Sequence, residues 1–425
     1  MEALTSYHLV IIFSATIIIS YFFHLYAKKS GFPAVLLLIG LGVIINFSLQ
    51  ISGFTKPDLL PLLGVLGVVG LILIVLEAAL DLEIVKEKIG IITKSFVVSL
   101  IGLAGTAYLT ALCLNVLMDL DLLKCLLFTI PLSILGSAVV LPSIDDVEKE
   151  KREFIIYEST FSDIIGIVAF YSVLTLAGSS STEGVTFGIF TKLVFTVFFS
   201  ILISYLLIYV FQNIRGPVKL FLLIAVLLLL YAVGQMFDLS SLIIILIFGI
   251  MLSNYKVFFK GILMSFLNEE RVNSVLHDMR VITAESAFVV RTFFFIIFGW
   301  SVYLGSLLNI KVIIMGLLIL VIIYFVRGLI LLMFKGKNIV LELFLAPRGL
   351  VTILLFFAIP KELSVGKDFE GVLLFVVLVS CLIMAWSLMS YKNTAAEKSS
   401  FDLDEHEGIV SGAVEKEVKE ETNIE

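Results

Sequence analysis

Two carboxylates stand inside one apolar run, Phe154 to Ala177, which reads FIIYESTFSDIIGIVAFYSVLTLA. As a helix the run spans roughly 36 Å, enough to cross a bilayer. Asp163 then lies roughly 14 Å deep, near the midplane, and Glu158 roughly 6 Å deep. An acid at membrane depth costs on the order of a few kcal/mol, so it is kept only where it is paired, hydrated or in use. Burial disfavours a bare carboxylate, which makes such a group a holder of either a proton or a dehydrated monovalent cation. At about 100° per residue, Glu158 and Asp163 are about 140° apart and do not share a face. Asp163 is therefore the candidate carrier of Na⁺, K⁺ or H⁺, and Glu158 the candidate partner of a buried base. The bland alternative is that either acid only bonds a neighbouring helix. The hydroxyls of Ser162 and of Ser159, one turn before Asp163, are candidate cation ligands.

Bases at the same depth are few. Of 29 Lys and Arg, 22 are assigned to loops and run ends and four to the C-terminal end, which leaves Arg291, Arg327 and Arg348 within apolar runs. Arg327 comes to a level similar to the two acids, which favours it as the partner of Glu158. Arg348 interrupts another run and is favoured to neutralise opposing helix ends there, although it could also approach Glu158. Glu77 either lines an ion funnel or snorkels to the interface, as Arg291 is expected to do. Glu342 is expected to complement the N-terminal dipole of its helix.

The elements that position these groups follow from composition. With 60% hydrophobic residues, 15% charged and a mean hydropathy of +1.13, the chain has too little polar surface for a soluble globule. It is expected to be an all-α polytopic membrane protein embedded in a lipid bilayer. Thirteen apolar runs qualify as spans: about 8–26, 33–49, 59–80, 95–118, 122–144, 154–177, 187–211, 218–237, 241–259, 286–304, 311–334, 340–360 and 371–391. The first run is read as a spanning helix rather than a cleavable signal. The amphipathic stretches 81–93 and 261–283 read as interfacial. Sixteen basic residues fall in the odd-numbered loops and six in the even-numbered ones. The positive-inside rule then puts the N-terminus outside and the C-terminus in the cytoplasm of a multi-pass cell-membrane protein.

Two of the thirteen runs carry breakers at their centres. The fifth holds Pro131, Gly136, Ser137 and Pro142, and the twelfth holds Pro347-Arg348-Gly349. Proline removes a donor and clashes with the preceding turn, so both helices are expected to be interrupted. The fifth and twelfth runs occupy matching places in two six-helix halves, about 8–177 and 218–391, with 187–211 as a linker helix. Paired breaks of this kind point to two inverted repeats with an ion site where the breaks meet, and carbonyls freed near Gly136 and Ser137 are further candidate ligands. Residues 1–392 form the transport domain. Residues 393–425 carry ten acids against three lysines, a solvated, disordered acidic tail. The three cysteines have no ligand or disulfide spacing, and neither a bound cofactor nor a nucleic-acid partner is indicated.

Glu158-Ser159-Thr160-Phe161-Ser162-Asp163 resembles the E-S-x-x-N-D signature of sodium/proton exchangers in the cation–proton antiporter superfamily. Ala346-Pro347-Arg348-Gly349 is similar to their G-P-R-G stretch, and Leu76-Glu77-Ala78-Ala79-Leu80 to their third-helix segment. The resemblance covers about residues 9–390. It implies thirteen helices with crossed, discontinuous members, a homodimer, and alternating access with Asp163 as the ion-binding acid. It also implies exchange of a monovalent cation, Na⁺ ahead of K⁺, for H⁺. Ser162 stands where the family has Asn, leaving one carboxylate at that pair, and this favours an electroneutral exchange. A passive cation channel could use the same acids. An enzyme is disfavoured because no HExxH, GxGD or GxSxG motif is present.

Overall fold

Pro131 removes a backbone donor three residues before the chain leaves helical geometry, and that local fault organises the centre of the molecule. In the computed structural model the described residues are 6–51, 60–84, 86–144, 147–177, 185–214, 219–236, 241–301, 304–336, 339–363 and 369–392. The acidic tail and the loops bearing Lys56 and Lys367 lie outside them. All regular structure among the described residues is helical.

The first four helices are α1 (Ser6–Ser30), α2 (Ala34–Ile51), α3 (Leu60–Asp81) and α4 (Ile89–Met118). The fifth span is split into α5 (Leu122–Ser133) and α6 (Ser137–Val140). Next come α7 (Lys149–Ala177), α8 (Val185–Asn213), α9 (Lys219–Met236), α10 (Ser241–Ser253) and a single turn, α11 (Tyr255–Phe258). After them come α12 (Glu269–Ser301) and α13 (Ile310–Lys335). The twelfth span is split into α14 (Val340–Phe344) and α15 (Leu350–Phe357), and α16 (Phe369–Lys392) follows. Eight of the expected spans are long and apolar enough to cross a membrane, and four shorter ones are apolar helices. The split α14–α15 is the thirteenth.

Two stretches differ from the interfacial reading. Residues 269–283 are the first half of α12, one continuous helix of 33 residues that includes the expected tenth span. No proline falls between Glu269 and Ser301, and Val272, Val275, Met279, Thr283 and Ala287 repeat at helical spacing on a buried face. Packing therefore extends the helix well past the length a bilayer needs. Similarly, α4 starts at Ile89, inside the other stretch.

Two bundles result. In the first, α12 lies along α2 and α3, and α10 lies against α3, α8 and α9. In the second, α7 lies along α4 and α5, and α13 along α4. Helix α16 joins this second bundle, with Phe375 packed over Gly316 of α13. Close approach depends on glycine. A side chain at Gly42 would run into the Ile296 carbonyl, and one at Gly299 into the Ile39 carbonyl, so α2 and α12 meet backbone to backbone.

The two broken helices meet inside the second bundle. Gly136 N–H donates to the Pro347 carbonyl at 2.9 Å, so an extended segment of one break bonds an extended segment of the other. A Cβ at Gly136 would stand 2.8 Å from Gly349 N and 2.9 Å from its Cα. Both obstacles are backbone. Gly136→Val is thus expected to cost about 3 kcal/mol or more and to lower the unfolding temperature sharply. Gly64, which has nothing within 4 Å of its added Cβ, is the control, and Gly64→Ala should be neutral or slightly stabilising in the same thermal melt.

Candidate functional site

Helix α7 carries five consecutive or near-consecutive polar residues that are all buried: Glu158, Ser159, Thr160, Ser162 and Asp163. It forms despite them because the flanking turns are apolar and the side chains of Glu158, Ser159, Ser162 and Asp163 meet neighbours at every oxygen but one. That oxygen belongs to Asp163. Its Oδ2 accepts from the Ser137 backbone N–H at 3.3 Å and from the Ser137 hydroxyl. Its Oδ1 is buried and accepts nothing. Asp163 is 3% exposed, and no described base pairs with it. The break in the fifth span is what turns Ser137 toward it, since Ser137 opens α6 directly after the extended residues Ile134 to Gly136.

Ser162 faces the same break in another role. Its hydroxyl accepts the Leu135 N–H at 2.9 Å and so tethers the extended segment to α7. The Ser159 hydroxyl donates to the Ile156 carbonyl on its own helix at 3.2 Å. The carbonyls near the break are also engaged. Gly136 O accepts from Val139 and Val140, and Ser137 O from Leu141. The structure therefore brings Ser137 to Asp163 and places Ser159, Ser162 and Gly136 around them without direct contact to the carboxylate.

Glu158 points to the opposite side of α7. Arg327 grips it with two parallel bonds, Nη1 to Oε1 at 2.6 Å and Nη2 to Oε2 at 2.9 Å. This bidentate geometry is the strong form of the interaction. Arg327 also donates from Nε and Nη2 to the Glu342 carbonyl at 3.0 and 2.8 Å, which ties α13 to α14. Ser99 of α4 donates to the Glu158 carbonyl at 2.6 Å. Arg348 stays at the second break, 3% exposed. Its guanidinium donates to the Ala346 carbonyl at 3.2 Å, and its backbone N–H donates to Ser380 at 3.0 Å. Glu158, Ser162, Arg327 and Arg348 help line a cavity of about 30 Å³, room for a water or two.

Two ion pairs went unforeseen in the sequence. Glu342, 1% exposed, pairs with Lys335 at 2.7 Å, and that ammonium also sits 4.3 Å over the Phe154 ring. Glu342 thus balances a specific base rather than only a helix end. Glu77, expected in an ion funnel or at the interface, and Arg291, expected at the interface, pair with each other at 3.4 Å across the α3–α12 seam, both largely buried. The available signal was arithmetic: a base inside an apolar run needs an acid, and Arg291 had none assigned. Outside the spans, Lys88 pairs with Glu153 at 3.0 Å, and this hydrogen bond holds the Lys88 ammonium above its ordinary pKa.

A protein-family model described as the sodium/hydrogen exchanger, transmembrane, matches residues 12–390. The chain belongs to the sodium/hydrogen exchanger family. The exchanger fold is matched by a structure of the sodium proton antiporter MjNhaP1 from Methanocaldococcus jannaschii at pH 8. That match has 20% identity, a TM-score of 0.67, and coverage of 90% of this chain and 98% of that one. An electron-microscopy map of the same antiporter matches over 93% and 98% of the two chains, with 20% identity and a TM-score of 0.66. At that identity the likeness speaks for the fold. No individual curated protein matches this exchanger.

Breaking one side of the Glu158–Arg327 pair leaves an uncompensated buried charge. Arg327→Met alone is expected to destabilise by about 3–5 kcal/mol. The double variant Glu158→Met/Arg327→Met should recover most of that loss in detergent melts, because neither charge is then stranded.

Proposed function

We propose that this exchanger moves a monovalent cation, Na⁺ first among the candidates, against H⁺, and that Asp163 is the single group that holds either one. The observation supporting this is the state of that carboxylate, buried, partnered only by Ser137, and left with one oxygen free. The remaining buried acids of the second bundle each have a base, Glu158 with Arg327 and Glu342 with Lys335. Asp163 is free to exchange its partner because, among the described residues, no protein cation competes for it.

The chemistry is a competition. With a proton on Asp163, the carboxyl is neutral and needs little solvation. With the proton gone, Na⁺ takes the free oxygen and is completed by hard oxygens nearby. The Ser137 hydroxyl is the first of these, and Ser159 and Ser162 lie within the same stretch of α7. A proton and a sodium ion carry equal charge, so the loaded site bears the same charge in either direction. That equality makes the exchange electroneutral and insensitive to voltage. The bare carboxylate, holding neither proton nor cation, is the form whose crossing must be rare, and burial supplies that penalty.

Alternating access is the motion the architecture suits. Asp163 sits at the crossing of two discontinuous spans within one bundle, and that bundle can move as a unit against the α3–α12 bundle. Arg348 at the crossing holds Ala346 and Ser380 in place, and Glu77 with Arg291 lies on the facing bundle as the funnel-side pair. The excess of basic residues in the odd-numbered loops supports an external N-terminus and a cytoplasmic C-terminus. We propose a homodimer, K⁺ as the second candidate cation, and the acidic tail as a solvated cytoplasmic extension.

Proteoliposomes loaded with a pH-sensitive dye test the function. Adding Na⁺ across an imposed pH gradient is expected to dissipate that gradient with no dependence on membrane voltage, and Asp163→Asn to abolish the effect. Ser137→Ala should keep exchange but raise the Na⁺ concentration for half-maximal rate roughly tenfold, the effect of losing one hydrogen bond to a charged group. Cation currents that persist without proton movement would indicate a channel instead.

A further inference from the structure

The seam between the two bundles is largely apolar. Leu354 and Leu350 of α15 lie against Gly67 and Gly70 of α3, and Phe298 of α12 meets Phe357. Apolar surfaces of this kind hold no preferred register, because dispersion and burial carry no direction. Tyr157 of α7 adds a directional contact. It is 6% exposed, and its hydroxyl donates to the Glu83 carbonyl at 3.2 Å, just past the end of α3.

The acceptor is fastened firmly to the first bundle. Arg280 of α12 donates to the Leu80 carbonyl from Nη2 at 2.9 Å and from Nε at 3.2 Å, and to Glu83 Oε1 at 2.8 Å. Ser253 donates to the same Leu80 carbonyl at 2.7 Å. Asn254 donates to the Leu82 carbonyl at 2.7 Å and accepts the Ile84 N–H at 2.5 Å. The Leu80 and Leu82 carbonyls, the Ile84 N–H and the Glu83 carboxylate are thereby held by α10, α12 or the short link to α11. On the other side, Glu153, one turn before Tyr157, binds Lys88 at the start of α4 and so belongs to the second bundle. The change of allegiance falls between Ile84 and Lys88, and Tyr157 reaches across it.

We propose that Tyr157 is a positioning residue for exchange. It latches the helix that bears Asp163 to the fixed end of α3 and thereby biases which side of the membrane the site opens to. Six residues, roughly 9 Å of helix, separate Tyr157 from Asp163, so displacement of the latch end is carried to the carboxylate by one rigid element. The proposal rests on the alternating-access reading. In the opposite state the α7 end must leave the Glu83 carbonyl, and the Tyr157 hydroxyl finds water instead. The bond therefore stabilises one state only, and this is the condition for shifting a two-state equilibrium.

The test measures distance, independently of transport. Spin labels at Glu150→Cys and Glu270→Cys, both exposed near the starts of α7 and α12, report bundle separation in the full chain with Cys113 replaced by Ala. Tyr157→Phe keeps the ring and removes the hydroxyl. It is expected to change the ratio of the two distance populations roughly fivefold, the effect of one net hydrogen bond, with an unchanged melting temperature. In proteoliposomes the same variant should change the ratio of the Na⁺ half-saturation concentrations measured from the two faces. Arg280→Gln frees the acceptor from the other side, and its effect should be less than additive with Tyr157→Phe, since both undo one latch. Unchanged populations in Tyr157→Phe, or full additivity of the two variants, would overturn the proposal. A population shift in a protein that exchanges no Na⁺ would leave the latch standing and reject the assigned cargo instead.

Discussion

Everything in the second bundle depends on keeping one carboxylate unpaired in a place where an unpaired charge is costly. A buried ion is tolerated only with a partner, and the bundle provides a base for every described buried acid but one. Glu158 receives both arms of Arg327, and Glu342 receives Lys335. Asp163 receives only the Ser137 hydroxyl and N–H. Had Arg327 been placed on the Asp163 side of α7, a permanent salt bridge would have closed the site. The separation of the two acids around one helix therefore decides which of them can work.

The broken helices serve that constraint. An unbroken fifth span would spend the Ser137 N–H on its own ladder and point its hydroxyl by helical period alone. Interruption at Ile134 to Gly136 frees the donor, and the Gly136–Pro347 bond fixes where it goes. Two glycines at the crossing keep the backbones within contact distance. Ser162, tethered to Leu135, holds the extended strand of the break against α7 and so keeps Ser137 in reach. Structure, site and proposed exchange are linked here through single hydrogen bonds, which explains why small substitutions are expected to have large effects.

Much of this was legible in the residues. Hydropathy located the helices because a bilayer demands long apolar runs. Proline and glycine located the breaks because both act on the backbone directly. Depth along a helix brought Arg327 level with Glu158. What periodicity could not reveal was direction at irregular backbone. Nothing in the spacing of Ser137 and Ser162 says that the first turns to Asp163 and the second to Leu135, because the intervening segment is not helical. The long α12 was hidden by its polar first half, which reads as interfacial until Val272, Val275 and Met279 are seen to bury a face. The Glu77–Arg291 and Lys335–Glu342 pairs join residues whose partners are set by tertiary packing.

The central claim is that one carboxylate holds either a proton or a sodium ion, never both. Proton release during Na⁺ binding measures it directly. Purified protein in weakly buffered solution is titrated with NaCl, and heat and pH are followed together. The account predicts about one proton released per Na⁺ bound near neutral pH, with both signals lost in Asp163→Asn. Sodium binding without proton release, or release that survives in Asp163→Asn, would contradict it.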